Sequence, residues 1–210
     1  MHAKALPAGS CQILAELKKI TSTALQGWIL AGGTGLALQA GHRTSEDFDF
    51  FRNDGMDSRA LHEALAQCGS YETLQEAEHT LTVLRHGVKM SFFRVSDRFL
   101  FRAKPYSFFS VADVRDIALM KLVAVSNRGS RKDFVDLYTI LLGGPSIRDY
   151  FDLLPRKYGP QRVNAYHILK SLTYFADAET EPMPVMLEPF NWEKCKAFFV
   201  REAHAIILPA

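Results

Sequence analysis

The stretch Gly32-Gly33-Thr34, followed by Ser45-Glu46-Asp47-Phe48-Asp49-Phe50-Phe51, decides how this chain is read. Its first part puts a glycine bend at the end of the short apolar run Trp28-Ile29-Leu30-Ala31, which has the character of a buried strand. Its second part puts acids at i and i+2 of another strand. Asp47 and Asp49 then share one face, while Phe48 and Phe50 point into the core. Two carboxylates on one face suit a divalent ion that also takes phosphate oxygens. Paired glycines let a backbone approach a phosphate and offer it N–H groups. Each half also has an ordinary explanation, since acids often only solvate a strand edge and Gly-Gly often only makes a tight turn. The apolar Phe48, Phe50 and Phe51 weigh against the first, because an ionised carboxylate among them is costly unless paired or metal-bound. Together the two halves outline a nucleotide phosphoryl-transfer site.

Outward from that stretch the pattern switches between helix and strand. Ser10 is placed to cap a helix over residues 10–23, with Ile13, Leu14, Leu17 and Ile20 on one stripe. Residues 36–40 read as a short helix ended by Gly41, and Asp57 caps another that reaches Cys68. Residues 71–77, 80–85 and 88–95 alternate as strands, and His86-Gly87 predicts a tight antiparallel turn between the last two. Beyond Pro105 helical periodicity takes over, at 113–127, 132–142, 146–156, 161–175 and 192–206. The expected fold class is α+β: a mixed sheet with flanking helices over residues 1–105, then a helical lobe over residues 106–210.

A chain of 210 residues can bury a real core. The formal net charge of +2 is too slight for broad coating of nucleic acid, so any polyanion contact must come from a local patch. Arg128-Gly129-Ser130-Arg131-Lys132 is such a patch, and reads equally well as a solvated loop between helices. Cys11, Cys68 and Cys195 show neither zinc spacing nor a disulfide framework. No apolar run approaches the roughly 18 residues that span a bilayer, and the N-terminal residues carry no signal core. A cytoplasmic protein without a membrane partner is expected. There is no Gly-x-x-x-x-Gly-Lys loop, no Gly-x-Ser-x-Gly elbow and no His-x-x-x-His pair. The phenylalanines at 92–93, 99–101 and 108–109 read as core rather than as stacking platforms.

The string Leu30-Ala31-Gly32-Gly33-Thr34-Gly35-Leu36-Ala37-Leu38, with His42-Arg43-Thr44-Ser45-Glu46-Asp47-Phe48-Asp49-Phe50-Phe51, resembles the signature of the AbiEii/AbiGii-type toxin nucleotidyltransferases. These belong to the DNA polymerase β-like nucleotidyltransferase superfamily. The similarity extends to Ala118-Leu119-Met120-Lys121-Leu122-Val123-Ala124 and to Arg128-Gly129-Ser130-Arg131-Lys132-Asp133-Phe134-Val135-Asp136-Leu137-Tyr138. It thus runs through both halves, over residues 28–142. The resemblance implies Mg²⁺-dependent transfer of a nucleotidyl group from an NTP to a hydroxyl of tRNA or of a protein. It implies the toxin of a toxin–antitoxin or phage-defence pair, with a cognate antitoxin as partner. By the same resemblance Gly32, Gly33 and Thr34 hold the phosphates, with Arg43 and Ser45 among the nucleotide contacts. Asp47 and Asp49 carry Mg²⁺, Lys121 contacts the triphosphate, and Asp133 and Asp136 complete the catalytic set from the second lobe.

The residues themselves leave alternatives at several of these positions. Asp133 and Asp136 share a helix face, and a Lys121–Asp136 or Arg131–Asp133 ion pair tying two helices together is as good an account as a substrate contact. Arg43 is either a substrate contact or an exposed cap near Gly41. A departure also stands out. Polymerase β-like enzymes use a third carboxylate on a neighbouring strand. The candidate strand Val88-Lys89-Met90-Ser91-Phe92-Phe93 puts Lys89, Ser91 and Phe93 on one face, with Ser91 where an acid is expected. Serine is too weak a base for that role. Asp133, Asp136 or Glu76 would have to reach in, or the acceptor is deprotonated differently, or the chain is an inactive nucleotide- or partner-binding protein that keeps the fold.

Overall fold

The computed structural model describes residues 1–207, which divide into two compact units, Met1–Asp113 and a second that begins at Val114. In chain order the first unit contains α1 (Ala8–Leu17), β1 (Ile29–Ala31), α2 (Gly32–Ala40), β2 (Phe48–Arg52), α3 (Ser58–Ala66), β3 (Glu72–Ala77), β4 (Thr80–Arg85), β5 (Val88–Arg94), β6 (Lys104–Tyr106) and β7 (Phe109–Val111). Its strands form one seven-stranded mixed sheet in the order β3-β4-β5-β2-β1-β7-β6. β1 pairs antiparallel with β2 and parallel with β7, and β2 pairs parallel with β5. The α+β class read from the sequence is what the chain adopts.

Alternation decides which face of the sheet is buried. Leu30, Phe48, Phe50, Leu81, Val83, Met90 and Phe92 turn to one side. There they meet Ile13 and Leu17 of α1 and Leu61 and Leu65 of α3 in a single core. Phe50 stacks on Phe92 with ring centroids 5.2 Å apart, and Trp28 meets Phe92 edge-on at 5.1 Å. The opposite face of β2 carries Asp49 and Phe51, with Asp47 one step before the strand.

Several elements follow their local chemistry. Asp57 accepts a hydrogen bond from the Ala60 N–H at 3.0 Å and starts α3. His86 and Gly87 both take positive φ, 49° and 77°, as a two-residue hairpin turn requires. Two expectations shift for tertiary reasons. α1 begins behind Pro7 and stops at Leu17, so Ser10 lies inside it; its buried hydroxyl donates to the Glu46 carbonyl at 2.9 Å instead of capping a helix. The sheet does not end at residue 105. The β6–β7 hairpin belongs to it, because β7 pairs with β1 through Leu30 and Val111, and the first unit therefore closes at Asp113.

The second unit contains α4 (Val114–Arg128), α5 (Arg131–Leu142), α6 (Ile147–Tyr158), α7 (Ala165–Ser171), α8 (Ala176–Thr180) and α9 (Trp192–His204). Ser146 and Asp149 form a reciprocal capping box at the start of α6. The helix expected over 161–175 is shorter, because Asn164 caps it late and the chain leaves it after Ser171. Phe134 of α5, fully buried, is ringed by Phe175, Phe199 and Trp192 at centroid distances of 5.1, 5.4 and 6.0 Å. No helix among the described residues is long and apolar enough to cross a membrane.

This packing sets an expected contrast. Phe134→Ala removes the centre of the aromatic cluster and should cost about 3–5 kcal/mol. Leu142→Ala, at a position 63% exposed, should stay within about 0.5 kcal/mol. Urea unfolding of the two variants beside the parent chain measures both.

Candidate active site

Strand β1 runs into α2 without a loop: Ala31 is the N-cap and Gly32 is already the first helical residue. Gly32 sits at φ +63°, a conformation that glycine takes without strain. Space demands glycine there as well. A Cβ on Gly32 would stand 3.0 Å from Asp49 Oδ2, and one on Gly33 would overlap the Arg43 guanidinium and come within 3.3 Å of Ser45 Oγ. The antiparallel register explains the first approach, since Ala31 lies directly opposite Asp49. The N-terminus of α2, whose first N–H groups lack a partner within the helix, thus opens beside the Asp49 carboxylate.

Thr34, Arg43 and Ser45 complete this cluster. The buried Thr34 hydroxyl donates to the Asp47 main-chain carbonyl and meets the Ser45 hydroxyl at 2.8 Å. Arg43 is only 4% exposed, so it is an inward member of the cluster and not an exposed cap near Gly41; its Nη1 donates to the Thr44 carbonyl at 2.8 Å. Gly32, Gly33, Thr34, Arg43, Ser45, Asp47 and Asp49 are therefore neighbours within the first unit.

Strand β5 supplies the other wall. In the parallel β2–β5 pair Asp49 lies beside Ser91, and in the antiparallel β4–β5 pair Ser91 lies beside Thr82. Thr82 Oγ1 and Ser91 Oγ are 3.3 Å apart. The position beside Asp49 is thus held by a neutral hydroxyl, as expected from the alternation. Glu76 does not make up the loss. It pairs with Leu81, whose row includes the core residue Phe92, so it lies on the opposite face, and it contacts His62 at 3.2 Å. What the sequence reading passed over is Lys89. Its backbone N–H donates to Asp47 Oδ1 at 3.1 Å and its ammonium stands 3.4 Å from Asp47 Oδ2. The alternation that put Lys89 on the face of Ser91 was the available signal.

In the second unit Lys121, Asp133 and Asp136 also come together. Lys121 Nζ lies 2.7 Å from Asp133 Oδ1 and 2.6 Å from Asp136 Oδ2, with the lysine side chain 5% exposed and both carboxylates fully buried. Arg128, at the end of α4, adds a two-pronged contact to Asp133 through Nε at 2.6 Å and Nη2 at 2.9 Å. The partner of Asp133 is therefore Arg128 and not Arg131, which turns to Glu179 at 3.2 Å and lies over the Trp192 ring. Burial opposes charge on Lys121, yet the Asp136 and Asp133 carboxylates outweigh it and hold the ammonium above its ordinary pKa. Burial likewise opposes charge on Asp133, but Lys121 and Arg128 together keep its carboxyl below the usual carboxylate value. This network joins α4 to α5. A second buried pair, Lys157 with Asp116 at 2.8 Å, joins α6 to α4.

The donor set in the first unit fits one kind of ion. Among the described residues no group of three or more His, Cys, Asp or Glu side chains is placed to enclose a metal. Two carboxylates on one strand face, beside a glycine cradle that any Cβ would fill, instead suit a hard cation that takes its remaining oxygens from phosphates. Asp47 and Asp49 are the residues that would hold it.

A mixed sheet with a strand-to-helix glycine bend, one acid on the strand paired with it and a second acid just before that strand, is a nucleotidyltransferase arrangement. Residues 13–107 match the family described as nucleotidyl transferase AbiEii toxin, of type IV toxin–antitoxin systems. An uncharacterized protein of Aquifex aeolicus is 34% identical over 192 residues, covering 89% of this chain and 91% of its own length. MenT4, a nucleotidyltransferase toxin of Mycobacterium tuberculosis, superposes with a TM-score of 0.59 at 14% identity over 96% of this chain and 86% of its own. JHP933 of Helicobacter pylori gives 0.55 at 13% identity, over 97% and 91%. The chain belongs to the AbiEii family of nucleotidyltransferase toxins.

The Lys121 network carries two expectations. Lys121→Met leaves two buried carboxylates short of a cation and should destabilise the chain by about 3–5 kcal/mol in urea unfolding. A lysine that only touched substrate would leave the unfolding midpoint unchanged. The pH dependence has a definite sign. Asp133 has a folded-state pKa below its ordinary 3.8, so its stabilisation is full above that value and disappears as pH falls through the folded pKa. Denaturation midpoints taken from neutral pH down to below 3.8 should fall at the acid end, and fall less in Asp133→Asn.

Proposed function

We propose that the chain is a Mg²⁺-dependent nucleotidyltransferase that moves a nucleotidyl group from an NTP to a hydroxyl of tRNA or of a protein. It acts as the toxin of a toxin–antitoxin or phage-defence pair and is held in check by a cognate antitoxin. The observation that carries this reading is the meeting of Gly32 with Asp49, where only the missing side chain leaves room beside the carboxylate. The start of α2 offers main-chain N–H groups to phosphate oxygens, as helix N-termini do. Gly33 gives the backbone its close approach, and the Arg43 guanidinium behind it adds positive charge. Thr34 fixes the Asp47 carbonyl and Ser45, so the loop before β2 is held in register with the bend.

Asp47 and Asp49 would hold Mg²⁺, which would supply charge neutralisation for the phosphates. The acceptor oxygen forms a bond to the α-phosphorus, the bond from that phosphorus to the pyrophosphate oxygen breaks, and pyrophosphate leaves. The acceptor proton passes to solvent, since Ser91 is no base. The share of the chain is positioning and electrostatics rather than covalent chemistry. Lys121, Asp133 and Asp136, which the family resemblance places in the catalytic set, serve here as positioning residues that hold α4 against α5.

Ser91 beside Asp49 favours a second reading, an inactive protein that binds nucleotide or partner through the same fold. Labelled NTPs, Mg²⁺ and total RNA or lysate distinguish the two. Transfer of label that is lost without Mg²⁺, and reduced about a hundredfold or more in Asp49→Asn, is expected. Calorimetric binding of Mg²⁺ and NTP with no transfer to any acceptor supports the second reading instead. Equal transfer by Asp49→Asn overturns the site.

A further inference from the structure

Lys89 touches Asp47 and belongs to none of the roles given above. Its placement is fixed by the sheet. β5 lies parallel to β2 with Met90 beside Phe48 and Ser91 beside Asp49, which sets Lys89 beside Asp47 on the face that carries both acids. Its backbone N–H holds Asp47 Oδ1, so the carboxylate is anchored by main chain whatever the ammonium does. The ammonium, by contrast, makes a loose contact of 3.4 Å between side chains that are each 44% exposed. Exposed pairs of this kind are weak and easily rearranged. The buried Lys121 network, at 2.6 and 2.7 Å and almost free of solvent, is of the other kind.

We infer that Lys89 is a mobile charge of the nucleotide site: it covers Asp47 while the acids hold no divalent cation, and it turns to the triphosphate once they do. The inference rests on the nucleotidyltransferase reading and adds to it a triphosphate contact supplied by β5. The reasons are electrostatic. A divalent cation at Asp47 and Asp49 repels an ammonium beside them, and the nearest strong anion is then the phosphate chain that shares the cation. Lysine is suited to such a move, being a compact charge on a flexible stem with three donors. The main-chain bond from Lys89 keeps Asp47 aimed throughout, so the side chain can leave without disordering the carboxylate. Ser91, the next residue on this face of β5, is neutral and lies beside Asp49.

Mn²⁺ serves as the probe of the cation site, by calorimetry and by its electron spin resonance signal, in the parent chain, Lys89→Met, Lys89→Arg and Asp49→Asn. Circular dichroism confirms that each is folded, and the half-exposed Lys89 is not needed for that. Without nucleotide, Lys89→Met should bind Mn²⁺ about threefold to fivefold more tightly than the parent, the size of an exposed ion pair. In label transfer the same variant should raise KM for NTP about tenfold while kcat changes less, and Lys89→Arg should restore KM. Unchanged Mn²⁺ affinity and unchanged KM in Lys89→Met, with binding lost in Asp49→Asn, overturn this inference and leave the nucleotidyltransferase site standing. Absence of Mn²⁺ binding from the parent and from Lys89→Met, with or without NTP, overturns the two-acid site and the inference together.

Discussion

The main chain at Gly32 and the carboxylate of Asp49 occupy adjoining space, with 3.0 Å between Oδ2 and the point where a Cβ would stand. Several features of the first unit make sense only in view of that approach. β1 must be short and must stop opposite Asp49, or the bend would not arrive at the acid. Residue 32 must be glycine twice over, for its φ of +63° and for the clearance. The register of β1 on β2 cannot slip by one residue, because the slip would turn Phe50 outward and bring Asp49 into the core with Phe48 and Phe92. The stacked phenylalanines on one face therefore do more than stabilise: they lock the register that aims the acids on the other.

The two sets of charged residues in this chain lie in opposite physical regimes. Lys121, Asp133 and Asp136 are buried, close and multiply bonded, so their arrangement is costly to break and resists exchange with any ligand. Asp47 and Lys89 are half exposed and loosely paired, so little energy separates that arrangement from another. A residue type and a family motif do not tell these cases apart. Burial does, and it sets the Lys121 network that ties α4 to α5 apart from the half-exposed pair of Asp47 and Lys89.

Much of this was legible in the chain because it rests on local pattern. Alternation placed Phe48, Phe50 and Phe92 inside and Asp47, Asp49 and Ser91 on the other face, and the glycines marked the bend. What was illegible depends on partners distant in sequence. Ser10 looks like a helix cap until Glu46, far along the chain, claims its hydroxyl. The strands Lys104–Tyr106 and Phe109–Val111 are only three residues each and one contains proline, so nothing local announces them; β1 supplies the partner that makes them strands. The Arg131–Asp133 pair read from the sequence does not form, because Arg128 takes Asp133 and Arg131 meets Glu179 of α8.

The serine at position 91 and the lysine at position 89 act on the same quantity, the charge of the face shared by β2 and β5. A site with three acids holds a divalent cation strongly even before substrate arrives, because each carboxylate adds attraction and the cation alone relieves their mutual repulsion. Here a hydroxyl stands beside Asp49, where the family resemblance implies an acid, and an ammonium stands 3.4 Å from Asp47. A cation would therefore gain less from the acids alone, and under the proposed function the phosphates of the nucleotide would contribute a larger part of its binding. On the proposed reading, cation and nucleotide would depend on each other for a place on this face, and their joint arrival would free Lys89 from Asp47.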